Sequence, residues 1–144
     1  MITLVFIILY QYMSDIIEKY DAELKEHVTV DSLNLKDRTR QLPAYKHIWV
    51  GRLIRHKIEL NKLKDTKYEK LEELKQRIRA EHLTTLSAPA AEKYANNTAV
   101  MKEINKKIVD QELIIEYLEK VEKIMHSYGF DLKNMIEIEK LETM

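Results

Sequence analysis

The feature that most constrains the fold of this chain is a row of mostly apolar residues that recurs every three or four positions. The row consists of Tyr45, Trp49, Leu53, His56, Leu60, Leu63, Lys67, Leu71, Leu74 and Ile78. Residues at this spacing share one side of a helix, so the row predicts a long helix that continues to Ile78. Such a helix is stable in water only when another element covers its apolar side.

Composition supports a helical chain and excludes several other classes of protein. The 144 residues include two Gly, two Pro and no Cys. Because hairpins and loops need Gly and Pro, an all-β fold is disfavoured. The lack of Cys excludes a disulfide framework and a thiolate metal site, and an intracellular, reducing compartment is the simpler interpretation. Two isolated glycines also cannot form a phosphate-binding loop.

A second long helix is expected after residues 87–89, which would end the first one. Its apolar side widens along residues 100–128. Gly129 and Phe130 are typical of a helix end, and Asp131 would cap a final helix. The sequence therefore predicts an all-α fold: two long antiparallel helices (a helical hairpin) with short N- and C-terminal helices. The surplus apolar surface suggests packing between subunits, as a homo-oligomer.

The first twelve residues carry no charge and are too few to span a bilayer. Met13, Ser14 and Asp15 together resemble the start of a helix. We therefore interpret residues 1–12 as an apolar extension that the native product lacks, and residues 13–144 as a single helical domain. The alternatives are that the extension packs onto the domain or that it lies at a membrane surface.

Shorter helices are expected before the long one. Asp15 and Glu18 form an N-cap and N3 pair for a helix over residues 15–27. Asp31 or Ser32 would then cap a second short helix through about Gln41. Pro43, which is well tolerated in a first helical turn, would start the long helix.

Charge is distributed unevenly although the net charge is zero. Residues 13–35 carry −4, residues 36–82 carry +7, residues 83–109 carry +2 and residues 110–144 carry −5. The basic residues of the central segment flank the apolar row, an arrangement that favours an anionic partner. Two alternatives stay open. The lysines only keep a solvated helix soluble, or the chain is a coiled-coil scaffolding protein whose basic helix pairs with its acidic ends.

The sequence offers no pattern typical of an enzyme or a metal site. The histidines lack the spacing of metal ligands and have no Cys to complete a site: His27, His47, His56, His82 and His126. No Ser lies in a nucleophile turn. We therefore expect no catalytic residue, no metal and no cofactor. Tyr68 and Tyr94 are candidate platforms for stacked bases, whereas Tyr45 and Trp49 lie in the apolar row and are expected in the core.

Several elements follow one another in a distinctive order. They are an acidic N-terminal helix, the link Val28-Thr29-Val30-Asp31-Ser32, Trp49 early in the long helix, the basic element Leu74-Lys75-Gln76-Arg77-Ile78, and the turn Gly129-Phe130 before a closing helix. In this order, from Met13 onward, the chain resembles the UvsY family of recombination mediator proteins of T-even-type tailed phages. It departs from the family at Arg79-Ala80-Glu81, where the family has aromatic residues.

The resemblance implies a protein that binds single-stranded DNA as a ring-like homo-oligomer of six or seven subunits. It would loosen the phage single-strand-binding protein and help to load a RecA-like phage recombinase for homologous recombination, repair and recombination-dependent replication. Its place would be the cytoplasm of the infected bacterial host, with no membrane partner.

Two sets of site residues follow as hypotheses. The DNA phosphates would contact Lys75 and Arg77, assisted by Lys64, Lys67, Lys70 and Arg79. Subunit assembly would use the apolar residues of the closing helix: Leu132, Met135, Ile136 and Leu141.

Overall fold

The computed structural model describes residues 2–82 and 86–144, with their side chains from residue 4 onward. Met1 of the predicted extension lies outside this part. Within it the chain forms four helices and no strand: α1 (Ile2–Val28), α2 (Leu35–Glu81), α3 (Ala88–Asn96) and α4 (Ala99–Glu142). The predicted all-α class with two long helices is confirmed. The prediction of short N- and C-terminal helices is wrong, because the only short helix of the described chain is α3.

Helix α1 does not begin at the predicted cap Asp15, which lies in its interior. Residues 2–14 contain neither Gly nor Pro, so nothing in them interrupts a helix. Asp favours helix caps, but inside a helix it costs only about 0.7 kcal/mol, too little to break one by itself. The helix ends at Val28, where the break was expected.

Helix α2 includes both the predicted second short helix and the predicted long one. The Asp31 carboxylate accepts hydrogen bonds from the backbone N–H groups of Leu33 and Asn34, at 2.8 and 2.9 Å, so it stabilises the turn before the helix. The helix then begins at Leu35 and continues through Pro43. An internal proline costs roughly 3 kcal/mol. Burial of Tyr45 and Trp49 in the next turns offsets that cost.

The segment after α2 contains a short helix, α3, where only the end of the first long helix was predicted. Ser87 is the N-cap of α3: its hydroxyl oxygen accepts a hydrogen bond from the N–H of Ala90 at 3.3 Å, and Pro89 lies in the first turn. Ala91 and Ala95 of α3 are fully buried.

Helix α4 does not end at Gly129, and Asp131 does not cap a separate helix. Gly129 has no positive φ, so it is not the left-handed residue that ends a helix. Instead it packs near α2: an added Cβ would lie 3.4 Å from Leu42 Cδ2 and 3.8 Å from Lys46 Nζ.

The described residues form two compact units, each with its own core. Unit 1 contains the first thirteen residues and Lys57–Leu113, and unit 2 contains Ser14–His56 and Ile114–Met144. In unit 1 the second half of the apolar row of α2 is half-buried, as is the amphipathic member Lys67. Met101 and Ile108 of α4 are buried, and Lys106 forms an ion pair with the buried Asp110.

Unit 2 is a three-helix arrangement around a core that α4 dominates. The buried side chains of α4 in this unit recur every three or four residues: Ile114, Ile115, Leu118, Val121, Met125, Tyr128 and Leu132. Tyr117 of α4 lies beside Asp21 of α1. Burial, and to a smaller extent the Asp21 carboxylate, raise the pKa of Tyr117 to about 12.

Polar and aromatic side chains join α1 to α2 in unit 2. The Trp49 Nε1–H donates a hydrogen bond to His27 Nδ1 at 3.1 Å, and the Arg52 guanidinium contacts the Glu23 carboxylate at 2.6 Å. Tyr20 and His56 share a hydrogen bond of 3.0 Å. As residue numbers rise along α1 their partners' numbers fall along α2, so the two helices run antiparallel.

Gly129→Ala is expected to stabilise the protein by about 0.5–1 kcal/mol, because Ala favours a helix interior and the added methyl group meets only ordinary contacts. Urea unfolding measures the change. Gly51→Ala is the matched variant in α2, where the added Cβ meets the flexible Arg55 side chain at 3.2 Å. A large destabilisation by Gly129→Ala alone would mean that the helix ends at this glycine.

The stability of unit 2 is expected to depend on the neutral form of His27. Its Nδ1 must be unprotonated to accept from Trp49. Burial lowers the pKa of His27 below the ordinary value of 6.5, although Glu23 and Glu26 act in the opposite direction. The unfolded chain therefore binds a proton before the folded chain does, and the free energy of unfolding falls as pH drops below 6.5.

His27→Asn keeps an acceptor near the Nδ1 position but does not titrate, so the loss of stability between about pH 7.5 and about pH 5.5 should become smaller. Urea midpoints at the two pH values measure it. His47→Asn, at an exposed position of α2, is the control and should retain the wild-type pH dependence. Equal pH dependence in the His27→Asn variant and the wild type would contradict this account.

Candidate nucleic-acid interface

The six predicted phosphate-binding residues all lie in unit 1, on the part of α2 beyond Lys57. Five of them flank the apolar row, as the spacing indicated, and Lys67 lies within it. Lys64, Arg77 and Arg79 are exposed, whereas Lys67, Lys70 and Lys75 are half-buried.

Three of the six cations have carboxylate partners on the same helix. Lys75 Nζ lies 3.0 Å from the Glu72 carboxylate, and Glu73 lies 3.4 Å from both Lys70 Nζ and Arg77 Nη2. Such pairs within a helix contribute only a few tenths of a kcal/mol, because water screens them and the long side chains lose freedom. A phosphate that binds these cations displaces weak contacts.

The other three cations, Lys64, Lys67 and Arg79, form no ion pair with any side chain in the described ranges. Lys67 occupies a position of the apolar row and is half-buried. At such positions the aliphatic part of a lysine covers apolar surface while its amine extends to water. Lys67 is therefore less accessible than Lys64 or Arg79.

The larger excess of positive charge lies elsewhere on α2. Residues 57–81 contain eight basic and six acidic residues, but residues 36–56, in unit 2, contain six basic residues and one acidic residue. A finer division of the +7 segment would have identified this concentration from the sequence. None of the six predicted phosphate-binding residues lies in this part of α2.

The basic residues of this first half of α2 differ in their partners. Arg38 donates to the Tyr45 hydroxyl at 2.7 Å, and Arg52 pairs with Glu23, so both are engaged within unit 2. The remaining four are exposed and have no ion pair with a side chain of the described residues: Lys36, Arg40, Lys46 and Arg55. On this half of α2 these four are the cations available to an anion.

The aromatic residues divide as expected between core and surface. Trp49 is 2% exposed and Tyr45 is buried, with its ring stacked on His27 at 3.8 Å between centroids. Tyr68 and Tyr94 are more than half exposed and lie in unit 1. Of these four predicted aromatic residues, Tyr68 and Tyr94 are therefore the ones accessible to a base.

The predicted assembly residues do not share one environment. Leu132 is 1% exposed and packs in the core of unit 2, so it is not available to another subunit. Ile136 is half-buried, whereas Met135 and Leu141 are exposed. Exposed Phe130 and Ile138 were not anticipated.

Comparison of the chain with protein-family models, with curated proteins and with solved structures finds no match. None of the described helices combines the length and the apolar character that crossing a membrane requires. Over the same residues, no three His, Asp or Glu side chains converge as metal ligands do. The case for a function therefore depends on the chain's own residues.

Proposed function

We propose that this chain is a recombination mediator that binds single-stranded DNA. It loosens the phage single-strand-binding protein on that DNA and promotes loading of a RecA-like recombinase, in the cytoplasm of an infected bacterial host. The resemblance to the UvsY family suggests this role. A mediator acts by binding, so the proposal assigns no catalytic residue and no cofactor to the chain.

The observation that carries the proposal is the set of accessible cations that α2 presents in each unit. Lys64, Arg77 and Arg79 are exposed in unit 1, and Lys36 and Arg40 are exposed in unit 2. Of these five cations only Arg77 has an ion-pair partner among the described side chains, the exposed Glu73 carboxylate of the same helix at 3.4 Å. Cations of this kind bind phosphates without reading bases, which suits a protein that acts on DNA of any sequence.

Assembly would strengthen this binding. Each subunit offers a few phosphate contacts, and linking several subunits raises the effective concentration of the remaining contacts after the first one forms. A ring of such subunits would also add their electrostatic fields along one DNA strand. Exposed Met135 and Leu141 on α4 are the predicted assembly residues that remain accessible.

Replacing both Lys75 and Arg77 by Ala should weaken binding to single-stranded DNA and make it less dependent on salt. Each lost phosphate contact reduces the slope of log K against log salt concentration by about 0.7, so the double variant should lose about 1.4. Fluorescence anisotropy of a labelled oligonucleotide, single-stranded beside duplex and at several salt concentrations, measures it.

The matched control is Lys120→Ala with Lys140→Ala. These lysines pair with Glu116 and Glu137 on the same helix at 3.4 and 3.5 Å, so the control removes the same charge and the same kind of pair from the acidic part of the chain. Its salt slope should equal that of the wild type. If the Lys75→Ala, Arg77→Ala variant also has the salt slope of the wild type, Lys75 and Arg77 are excluded from the DNA contact.

Lys36→Ala with Arg40→Ala tests the concentration of charge in unit 2. Both side chains are exposed and lie one turn apart at the start of α2, so DNA contact there should also reduce the salt slope by about 1.4. Circular dichroism of the variant checks that the helix is retained. A slope reduced here and unchanged in the Lys75→Ala, Arg77→Ala variant would place the DNA contact on unit 2 alone.

The alternative is a coiled-coil scaffolding protein that does not bind nucleic acid. The ion pair of Arg52, in the basic segment, with Glu23, in the acidic segment 13–35, at 2.6 Å favours this interpretation. Wild-type protein that leaves the oligonucleotide free even at low salt would contradict the mediator proposal and favour the scaffold.

A further inference from the structure

The cations of the proposed interface cannot by themselves select single-stranded DNA over duplex. Both forms carry phosphates, so Lys and Arg side chains bind both. A duplex keeps the faces of its bases stacked inside, whereas a single strand exposes them. A preference for single strands therefore calls for an accessible aromatic ring beside accessible cations.

Helices α2 and α3 bring two aromatic rings together in unit 1. The His82 ring, directly after the last residue of α2, lies 5.6 Å from the Tyr94 ring of α3, with 41° between the two ring planes. Both residues are exposed, and Tyr94 is 54% exposed despite this contact. Ala91 and Ala95 of α3 are fully buried, which anchors the helix that carries Tyr94. The Tyr94 ring is thus accessible and supported by a second ring.

Exposed cations accompany both rings. The His82 N–H donates to the Ile78 carbonyl at 3.2 Å and so continues the helical pattern, which places Arg79 on the same side of the helix as His82. Lys93 is the neighbour of Tyr94 on α3. Arg79 and Lys93 are both exposed and form no ion pair with a side chain of the described ranges.

The positions one turn from Tyr94 hold no carboxylate that would repel a phosphate. The residues three and four positions away on either side are all uncharged: Ala90, Ala91, Asn97 and Thr98. A nucleotide whose base reaches the Tyr94 ring would therefore bring its phosphate toward positive charge.

We infer that Tyr94, supported by His82, stacks on a base of single-stranded DNA and gives this chain its preference for single strands. The inference rests on the proposed function and deepens it. The cations supply affinity for the phosphates, and the ring selects the strand whose bases are exposed. Arg79, one of the predicted phosphate-binding residues, holds a phosphate of the same strand.

Two exposed aromatic residues elsewhere lie in less favourable charge environments. Tyr68 of α2 has four neighbours one turn away, and two of them, Asp65 and Glu72, are acidic. Phe130 of α4 also contacts a histidine ring, at 5.4 Å, but it lies in residues 110–144, which carry −5. Negative charge repels the phosphates that accompany a stacked base. These two residues therefore provide matched controls.

Tyr94→Leu removes the ring, keeps an apolar side chain and changes no charge. Stacking on one base changes affinity by about 5- to 150-fold, so the variant should bind a labelled oligo(dT) more weakly by such a factor. Its affinity for duplex and its salt slope should equal those of the wild type, because every phosphate contact remains. Tyr94→Phe keeps the ring and should bind as the wild type does. Fluorescence anisotropy measures these affinities.

An oligonucleotide of the same length that lacks every base separates stacking from phosphate binding. The wild type should bind oligo(dT) more tightly than this abasic strand, and Tyr94→Leu should reduce the difference. His82→Ala should reduce it by a smaller factor, and should have little further effect in the Tyr94→Leu background, because the imidazole acts through Tyr94. Circular dichroism checks that the helices are retained.

The controls are Tyr68→Leu and Phe130→Leu. Each removes a ring from a residue that is at least as exposed as Tyr94, and each should leave the affinity for oligo(dT) unchanged. Wild-type affinity of Tyr94→Leu for oligo(dT) would overturn the inference. An equal loss of affinity for oligo(dT), the abasic strand and duplex would also overturn it, since the variant would then have damaged the phosphate contacts.

Failure of the inference and failure of the proposed function give different results. A wild type that binds oligo(dT), together with a Tyr94→Leu variant that binds it equally well, would contradict the stacking contact and leave the mediator proposal standing. A wild type that leaves oligo(dT), the abasic strand and duplex all free would contradict both.

Discussion

The contact between His27 and Trp49 fixes how α1 lies against α2, and the rest of unit 2 depends on it. Apolar rows on two helices permit several registers of similar energy, but the hydrogen bond of 3.1 Å requires one. Arg52 reinforces the same register, since it pairs with Glu23 and lies 4.7 Å from the ring centroids of both Tyr20 and Trp49. Because Tyr45 and Trp49 of α2 face the core of unit 2, the exposed cations of this part of the helix, such as Lys36 and Arg40, face solvent.

Much of the fold was predictable because helical periodicity is strong in this chain. The apolar row of α2 is buried or half-buried at every position, including Lys67. The helix ends were less predictable, since a residue that can cap or end a helix does so only when nothing stronger continues it. Asp15 and Gly129 both lie inside helices, and Pro43 is tolerated because packing on either side of it holds the helix.

The candidate site, too, was only partly predictable from the sequence. The sequence locates a basic helix, but net charge over a long segment conceals that Lys70 and Arg77 share Glu73 while Lys36 and Arg40 have no such partner in the described chain. The placement of Leu132 in an interface failed for a related reason. Helix α4 is continuous, so Leu132 belongs to the same buried row as Met125 and Tyr128. The predicted helix end at Gly129 assigned Leu132 to a separate helix instead.

The position of Trp49 has a practical consequence. It is the single tryptophan of the chain, so the tryptophan fluorescence of the protein reports on the environment of one side chain, at the contact between α1 and α2. A protonated imidazole quenches indole emission at close range, and His27 accepts the hydrogen bond of this indole. The chain thus contains an intrinsic optical probe of whether its first two helices are packed together in unit 2, which needs no label.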